Sequence, residues 1–140
     1  MERTDALFRG VNEGPEHGVL GMRHVYKASS RDTGGRYVSF EIEIPSGCGA
    51  PPHVHAVDSE SFYVLDGEIL FTDATGTRVA RRGEFVFLPS GGMHAFTNAG
   101  DAPARALVVA APGIEAERFF AEVDARGADV PGPAEVTAMA

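Results

Sequence analysis

The chain has 140 residues, of which 44% are hydrophobic and 23% are charged, values close to those of an ordinary globular domain. A single domain of this length buries about 68% of the surface that its unfolded form exposes, so it needs no disulfide or metal ion merely to stay folded. Any metal site is therefore expected to serve a function. Twenty acidic against twelve basic side chains give a net charge of −8, which makes nucleic acids and anionic membranes poor partners.

Neither the cysteine content nor the first residues indicate export. Cys48 is the single cysteine and cannot form an internal disulfide. The first five residues lack the basic region and apolar run of a signal peptide, and no apolar stretch approaches the roughly 18 residues of a membrane-spanning helix. We therefore expect a cytoplasmic protein that does not enter membranes.

Short strands separated by turns dominate the predicted secondary structure. Residues 1–18 are polar and contain several glycines, and we expect them to be weakly structured. In residues 37–44, Val38, Phe40 and Ile42 alternate with polar side chains. This period of two predicts a strand with one buried face and one exposed face.

Turn residues divide the following sequence into further strands. A strand at 62–65 ends at Asp66-Gly67, a pair that favours positive φ, and the pattern resumes at 68–72, which predicts a β-hairpin. Further strands are predicted at 77–80, 85–88, 94–98 and 105–111. The aromatic and branched side chains of these strands are interpreted as core, namely Phe62, Val64, Phe85, Phe87 and Phe96. Turns every 8 to 12 residues or so predict an all-β domain, either a sandwich or a closed barrel.

One stretch has the pattern of a helix. Residues 114–126 alternate apolar and charged side chains at helical spacing, with Pro112 and Gly113 before them and Gly127 as a C-terminal cap. We therefore predict one domain over 19–127 that ends in this helix. Residues 128–140 contain two prolines and no periodicity, and we expect a flexible tail there.

Histidines and one glutamate form the strongest chemical signal. His53 and His55 are two residues apart, so on an extended strand both imidazoles point to one face. A turn after Val57 would bring Glu60 to the same point, and His94, which follows a Gly-rich turn, could close the set in a barrel or a sandwich. A single histidine in a β protein is more often hydrogen-bonded or exposed than a ligand, but the joint spacing of these residues favours a metal site.

Three imidazoles and one carboxylate suit one divalent transition metal, either Fe, Ni, Mn, Cu or Zn, and disfavour Mg²⁺ and Ca²⁺. Asp58 has the same strand parity as Glu60 and stays open as an alternative carboxylate. The motif spacing described below favours Glu60.

Other polar residues carry weaker signals. Cys48 lies between two glycines and is interpreted as filling a small buried space. His17 and His24 are expected at the surface. Arg23, His24 and Tyr26 could reach the mouth of a pocket from an early strand, but the sequence does not place them.

The spacing of glycines, histidines and the glutamate follows a known pattern. The residues Gly47-x5-His53-x-His55-x4-Glu60-x6-Gly67, followed by Gly83-x5-Pro89-x-Gly91-x2-His94-x3-Asn98, resemble the two sequence motifs of the cupin superfamily, with every fixed position filled. The resemblance spans about residues 37–111. It implies a double-sheet jelly-roll β-barrel with a metal ion held inside by His53, His55, Glu60 and His94. The motif glycines are expected at turns with positive φ, and the Asn98 amide is expected to hold its own turn.

Within that superfamily, the run from Glu60 to Gly67 and the segment from Pro112-Gly113 to Phe120 resemble those of small bacterial cupins described as quercetin dioxygenase-like. The resemblance implies a metal-dependent dioxygenase that takes a small aromatic or enolic metabolite and O₂ as its small-molecule substrates. Glu60 would be both ligand and catalytic proton acceptor. A homodimer is also expected, since an edge strand near the N-terminus would otherwise be exposed.

Two other functions stay open. One is a non-redox, metal-dependent isomerase or cyclase of a polyketide or sugar pathway, for which zinc would serve as a Lewis acid. The other is a non-enzymatic, metal-dependent module that binds a small ligand, because a fold does not fix a function.

Overall fold

The computed structural model describes residues 3–127, so the tail predicted at 128–140 lies outside the described residues. Within these residues, ten strands and two helices follow one another. They are β1 (Glu16–Val19), β2 (Met22–Ala28), α1 (Ser30–Thr33), β3 (Val38–Ile44), β4 (Gly49–Val54), β5 (Ser59–Asp66), β6 (Glu68–Asp73), β7 (Gly76–Arg81), β8 (Phe85–Leu88), β9 (Met93–Thr97), β10 (Ala104–Ala111) and α2 (Ile114–Arg126). The predominantly β character is confirmed, and the structure adds the one-turn helix α1.

The strands form two antiparallel sheets. Six strands pair in the order β1-β2-β3-β10-β5-β8, and four pair in the order β4-β9-β6-β7. Across residues 3–127, no hydrogen-bonded strand pair joins one sheet to the other. The expected closed barrel is therefore not formed by hydrogen bonding, and the described domain consists of two separate sheets.

The prediction of a β-hairpin at Asp66-Gly67 is wrong. Gly67 has the expected positive φ of 74°, but β5 belongs to the six-stranded sheet and β6 to the four-stranded sheet. The turn therefore carries the chain from one sheet to the other. A Cβ atom at this position would lie 2.8 Å from the carbonyl oxygen of Pro103, so the crossing requires glycine for space as well as for φ. Turn residues alone do not reveal which sheet the next strand joins.

The hydrophobic core lies between the sheets. The inward face of β3 is at most 1% exposed and consists of Val38, Phe40, Ile42 and Ile44, as the alternation predicts. Phe62 from the six-stranded sheet packs against Phe71 and Phe96 from the other, with ring centroids 5.1 and 5.3 Å away. These aromatic contacts hold the two sheets together.

Two aromatic residues predicted in the core are not there. Phe85 is 63% exposed and Phe87 is 55% exposed. Both lie on β8, which is an edge strand of the six-stranded sheet, and their side chains share its outer face with Tyr63 of β5. An apolar run of four residues does not show which of its faces is buried, so this prediction was wrong.

Helix α2 forms over the range predicted for it and packs against β1. Gly113 precedes the helix and provides no capping side chain. Asp58 caps the helix instead, since its carboxylate accepts hydrogen bonds from the Gly113 and Ala116 backbone amides at 2.9 and 2.8 Å. Neither helix of the described chain has both the length and the apolar character needed to traverse a lipid bilayer.

Candidate metal centre

Both sheets contribute to one cluster of buried polar side chains. His53 on β4 and His94 on β9 are cross-strand neighbours in the four-stranded sheet, and His55 follows one residue after the end of β4. Glu60 lies near the start of β5 in the six-stranded sheet. The structure thus brings together all four residues that the sequence selected.

The donor atoms of these four residues are close and shielded from solvent. One ligand atom from each lies within 4.8 Å of the others. Glu60 Oε1 lies 3.3 Å from His94 Nε2 and 3.9 Å from His55 Nε2. All four side chains are buried, with His53 the most exposed at 8%. This spacing has the scale of a single coordination sphere, in which ligands lie about 2 Å from the ion.

A backbone contact orients the first histidine. His53 Nδ1 lies 2.7 Å from the carbonyl oxygen of Pro51, which we assign as a hydrogen bond donated by the imidazole. The Nε2 lone pair is then the free ligand atom. The β4–β9 register shifts between Ala50 and His53, where Pro51 and Pro52 interrupt the regular ladder. The proline pair therefore helps to fix the position of His53.

The protonation states suit a metal ligand set. Burial, together with the nearby His94 and His55, lowers the pKa of His53 to about 4, against the opposing effect of the hydrogen bond to Pro51. Burial alone would raise the pKa of Glu60, but the close His94 and His55 imidazoles bring it below its ordinary value. A neutral imidazole and an ionised carboxylate are the forms that bind cations.

One orphaned atom shows that the protein does not complete this cluster by itself. His94 Nε2 is buried and has no hydrogen-bond partner among the described residues, although Glu60 Oε1 lies 3.3 Å away. Buried polar atoms are rarely left unpaired. A divalent transition metal, Fe, Ni, Mn, Cu or Zn, fits this donor set and would use that lone pair.

A mostly apolar cavity adjoins the cluster. Its volume is about 30 Å³. His53 and Glu60 form part of its wall, and aromatic rings supply much of the rest, namely those of Phe40, Phe62, Phe96, Phe119 and Phe120. The cavity therefore places an apolar, largely aromatic wall beside two of the metal ligands.

The early strand β2 contains a residue that the sequence interpretation misplaced. His24 was expected at the surface, but it is 2% exposed and lines the cavity. Arg23 points away, since its guanidinium pairs with Glu16 at 2.8 Å, and Tyr26 is buried outside the cavity wall. Strand alternation with the buried Met22 could have shown that His24 faces inward.

The remaining candidates have structural roles. The Asp58 carboxylate caps α2 and is not part of the metal cluster. Asn98 holds its turn as expected, donating to the carbonyl oxygens of Ile44 and Ala102 at 2.9 and 2.8 Å. Cys48 is half-buried against the core and also lies outside the cluster. His17 is partly exposed.

Comparisons with known proteins identify the family. No curated protein sequence matches the chain. A predicted oxalate decarboxylase from Thermotoga maritima superimposes with a TM-score of 0.68 and 22% identity, covering 76% of this chain and 98% of that one. The polyketide cyclase RemF from Streptomyces resistomycificus superimposes with a TM-score of 0.66 and 25% identity, covering 79% of this chain and 80% of that one. The Cnp3 cupin domain of Schizosaccharomyces pombe superimposes with a TM-score of 0.58 and 19% identity. The match covers 64% of this chain and 64% of the Cnp3 chain. Residues 40–110 match the Cupin domain family model, so the chain belongs to the cupin family.

Proposed function

We propose that the protein is a metal-dependent dioxygenase that acts on a small aromatic or enolic metabolite. One observation carries this proposal: four buried donor atoms converge beside a small, apolar and largely aromatic cavity. A redox-capable divalent metal held by His53, His55, Glu60 and His94 would supply Lewis acidity toward an enolate oxygen and the means to activate O₂.

The chain's own residues would prepare the substrate. The three histidines serve only as ligands, whereas Glu60 accepts the proton of the substrate's enol hydroxyl group when the substrate enters. The carboxylate is ionised at neutral pH because the neighbouring imidazoles hold the pKa of Glu60 below its ordinary value, despite burial. The aromatic wall then keeps bulk water from the deprotonated substrate.

The reaction needs no external reductant. Both atoms of O₂ enter the product, a carbon–carbon bond of the enol breaks, and the substrate supplies all the electrons. The small volume of the cavity favours a compact substrate over a multi-ring one.

Oxygen consumption tests this proposal. Protein reconstituted separately with Fe(II), Ni(II) or Mn(II) is mixed with a panel of small enols and catechols in an oxygen electrode. We expect one O₂ consumed per substrate molecule, and loss of turnover in Glu60→Gln. No oxygen uptake with any metal would contradict the proposed activity.

A second candidate is a non-redox cyclase or isomerase. The likeness to the polyketide cyclase RemF, at 25% identity over about four-fifths of each chain, favours it. It predicts that zinc-loaded protein converts its substrate equally well with and without oxygen. Tight binding without turnover under either atmosphere would instead indicate a ligand-binding module.

We also propose that two copies of the chain associate through the outer face of β8. The N-terminal edge strand β1 contacts helix α2, whereas β8 lies at the opposite edge with Phe85, Phe87 and Tyr63 exposed. Exposed apolar side chains clustered on an edge strand favour burial of this face against a second copy. Light scattering should give the mass of a dimer for the wild type and of a monomer for Phe85→Glu. A monomeric wild type would contradict this proposal.

A further inference from the structure

The cavity beside the metal centre contains one polar side chain that the proposed mechanism does not use. His24, on β2, lines this cavity together with His53 and Glu60. It is 2% exposed, and neither Nδ1 nor Nε2 has a hydrogen-bond partner in the part of the chain that the structure describes. Both polar atoms of a fully buried imidazole are therefore left without a protein partner.

Aromatic neighbours hold this imidazole in place. The His24 ring stacks on Phe40, with centroids 4.7 Å apart and planes 9° from parallel, and Phe120 meets it edge-on at 4.3 Å. These contacts fix the plane of the ring, and neither supplies a hydrogen bond to its nitrogen atoms. A ring fixed in this way presents its polar atoms in a defined direction.

The His24 side chain is neutral in the folded protein. Burial lowers the pKa of His24 to about 3, although the charge of Glu60 acts in the opposite direction. A neutral imidazole offers one N–H donor and one nitrogen acceptor. It can therefore bind a hydroxyl or carbonyl oxygen of a ligand, whereas an apolar residue at this position would only fill space.

A purely structural role does not explain a histidine here. His24 faces inward on β2, as do Met22 and Tyr26. An apolar side chain at position 24 would pack there without burying unpaired polar atoms. The cost of burying an unpaired imidazole is understandable if a ligand in the cavity completes its hydrogen bonds.

We propose that His24 is a substrate-binding residue that hydrogen-bonds an oxygen atom of a small enolic or polyphenolic ligand while other oxygens of that ligand face Glu60 and the metal site. This inference rests on the proposed function. It deepens that proposal by assigning the specificity: the substrate carries at least one oxygen beyond those at the metal. A substrate lacking that oxygen would leave the imidazole unpaired and would bind less tightly.

Tyr26 provides a matched control on the same strand. Its hydroxyl group is also buried without a hydrogen-bond partner, but Tyr26 is not part of the cavity wall. Removing this hydroxyl deletes an equally orphaned polar atom at a place where it cannot reach a ligand. Tyr26→Phe should therefore leave ligand binding unchanged.

Calorimetric titration of zinc-loaded protein with pyrogallol, under nitrogen, tests the inference. We expect His24→Leu to weaken pyrogallol binding about tenfold or more, because one buried hydrogen bond is lost. His24→Gln keeps a donor and an acceptor and should stay within about threefold of the wild type. Zinc content should be equal in all variants, and the Tm of His24→Leu should be no lower than that of the wild type.

Three outcomes would overturn the inference. Equal pyrogallol affinity in His24→Leu and the wild type would show that His24 does not contact the ligand, while leaving the proposed function intact. A large loss of Tm in His24→Leu but not in Tyr26→Phe would show that the imidazole serves the fold. Failure of the zinc-loaded wild type to bind pyrogallol would contradict the proposed substrate class, and the role of His24 would fall with it.

Discussion

Two sets of buried polar side chains in this domain differ in how their hydrogen bonds are completed. Asp58 and Asn98 are each 1% exposed, and backbone groups occupy their polar atoms. His94 and His24 are each 2% exposed, yet His94 Nε2 and both His24 nitrogens have no hydrogen-bond partner within residues 3–127. Burial is the same in both sets, so burial does not separate them.

The difference separates residues that hold the fold from residues that await a ligand. A satisfied buried group stabilises the fold by joining segments, as Asp58 joins the β4–β5 connection to helix α2. An unsatisfied one costs stability, and a sequence retains it where a metal ion or a ligand completes it. The comparison makes four predictions, which run from the largest expected effect to the smallest.

Removal of a metal ligand should have the largest effect. His94→Ala should weaken binding of zinc by about 100-fold or more, because one of four ligands is lost and an ion site depends on its complete set. The metal-free variant should still fold, since the hydrophobic core is built from other residues. Competition with a fluorescent zinc chelator measures the affinity. His17→Ala is the control, and equal loss in both variants would contradict the assignment.

Removal of a satisfied group should destabilise the fold instead. Asp58→Ala deletes two hydrogen bonds at the start of α2, and we expect a loss of about 2–3 kcal/mol in the free energy of unfolding. Urea denaturation of the metal-free protein measures this quantity. Glu122→Ala, at an exposed position of the same helix, should change stability by less than about 0.5 kcal/mol. A stable Asp58→Ala would refute the capping role.

The pH dependence of stability should depend on His24. Burial lowers the pKa of His24 to about 3 in the folded state, while the unfolded chain binds a proton near the ordinary value of about 6.5. The unfolded state thus gains protons first, and stability falls as pH decreases through this window. Relative to His24→Leu, the metal-free wild type should lose about 2 kcal/mol between about pH 6.5 and pH 5. Parallel stability curves for the two proteins would contradict the neutral, buried imidazole.

An exposed ion pair should matter least. Arg105 pairs with Glu41 across β10 and β3 at 2.9 Å, with its side chain 43% exposed. Arg105→Ala should change the free energy of unfolding by about 0.5 kcal/mol or less and leave zinc affinity unchanged. Urea denaturation and the chelator titration measure both. A large loss of stability would show that this exposed pair supports the fold, and a large loss of zinc affinity would show that it supports the metal site.

Local periodicity predicted the parts of this fold that depend on local residues. The alternation in β3 gave the inward face correctly, and the helical pattern gave α2. The four clustered residues were also found from spacing, because His53 and His55 share a strand face and the motif resemblance linked them to His94.

Features that depend on pairing between distant strands were not predictable in this way. Gly67 has its expected φ, but the chain crosses to the other sheet there, because β6 pairs with β7 and β9 and not with β5. Phe85 is exposed because its side chain lies on the outer face of β8, whereas Leu88 of the same strand is buried. Alternation along β2 could indicate that His24 faces inward, but its contacts with Phe40 and Phe120 depend on β3 and α2. The capping of α2 by Asp58 spans 55 residues and leaves no local pattern.

The central claim is that one metal ion binds among His53, His55, Glu60 and His94, and anomalous X-ray diffraction at the zinc edge tests it most directly. Crystals of the zinc-loaded protein should give one strong peak per chain, about 2.0–2.2 Å from an imidazole nitrogen of each histidine and from a Glu60 oxygen. A peak at other residues, or no peak in protein that carries one equivalent of zinc, would contradict the account.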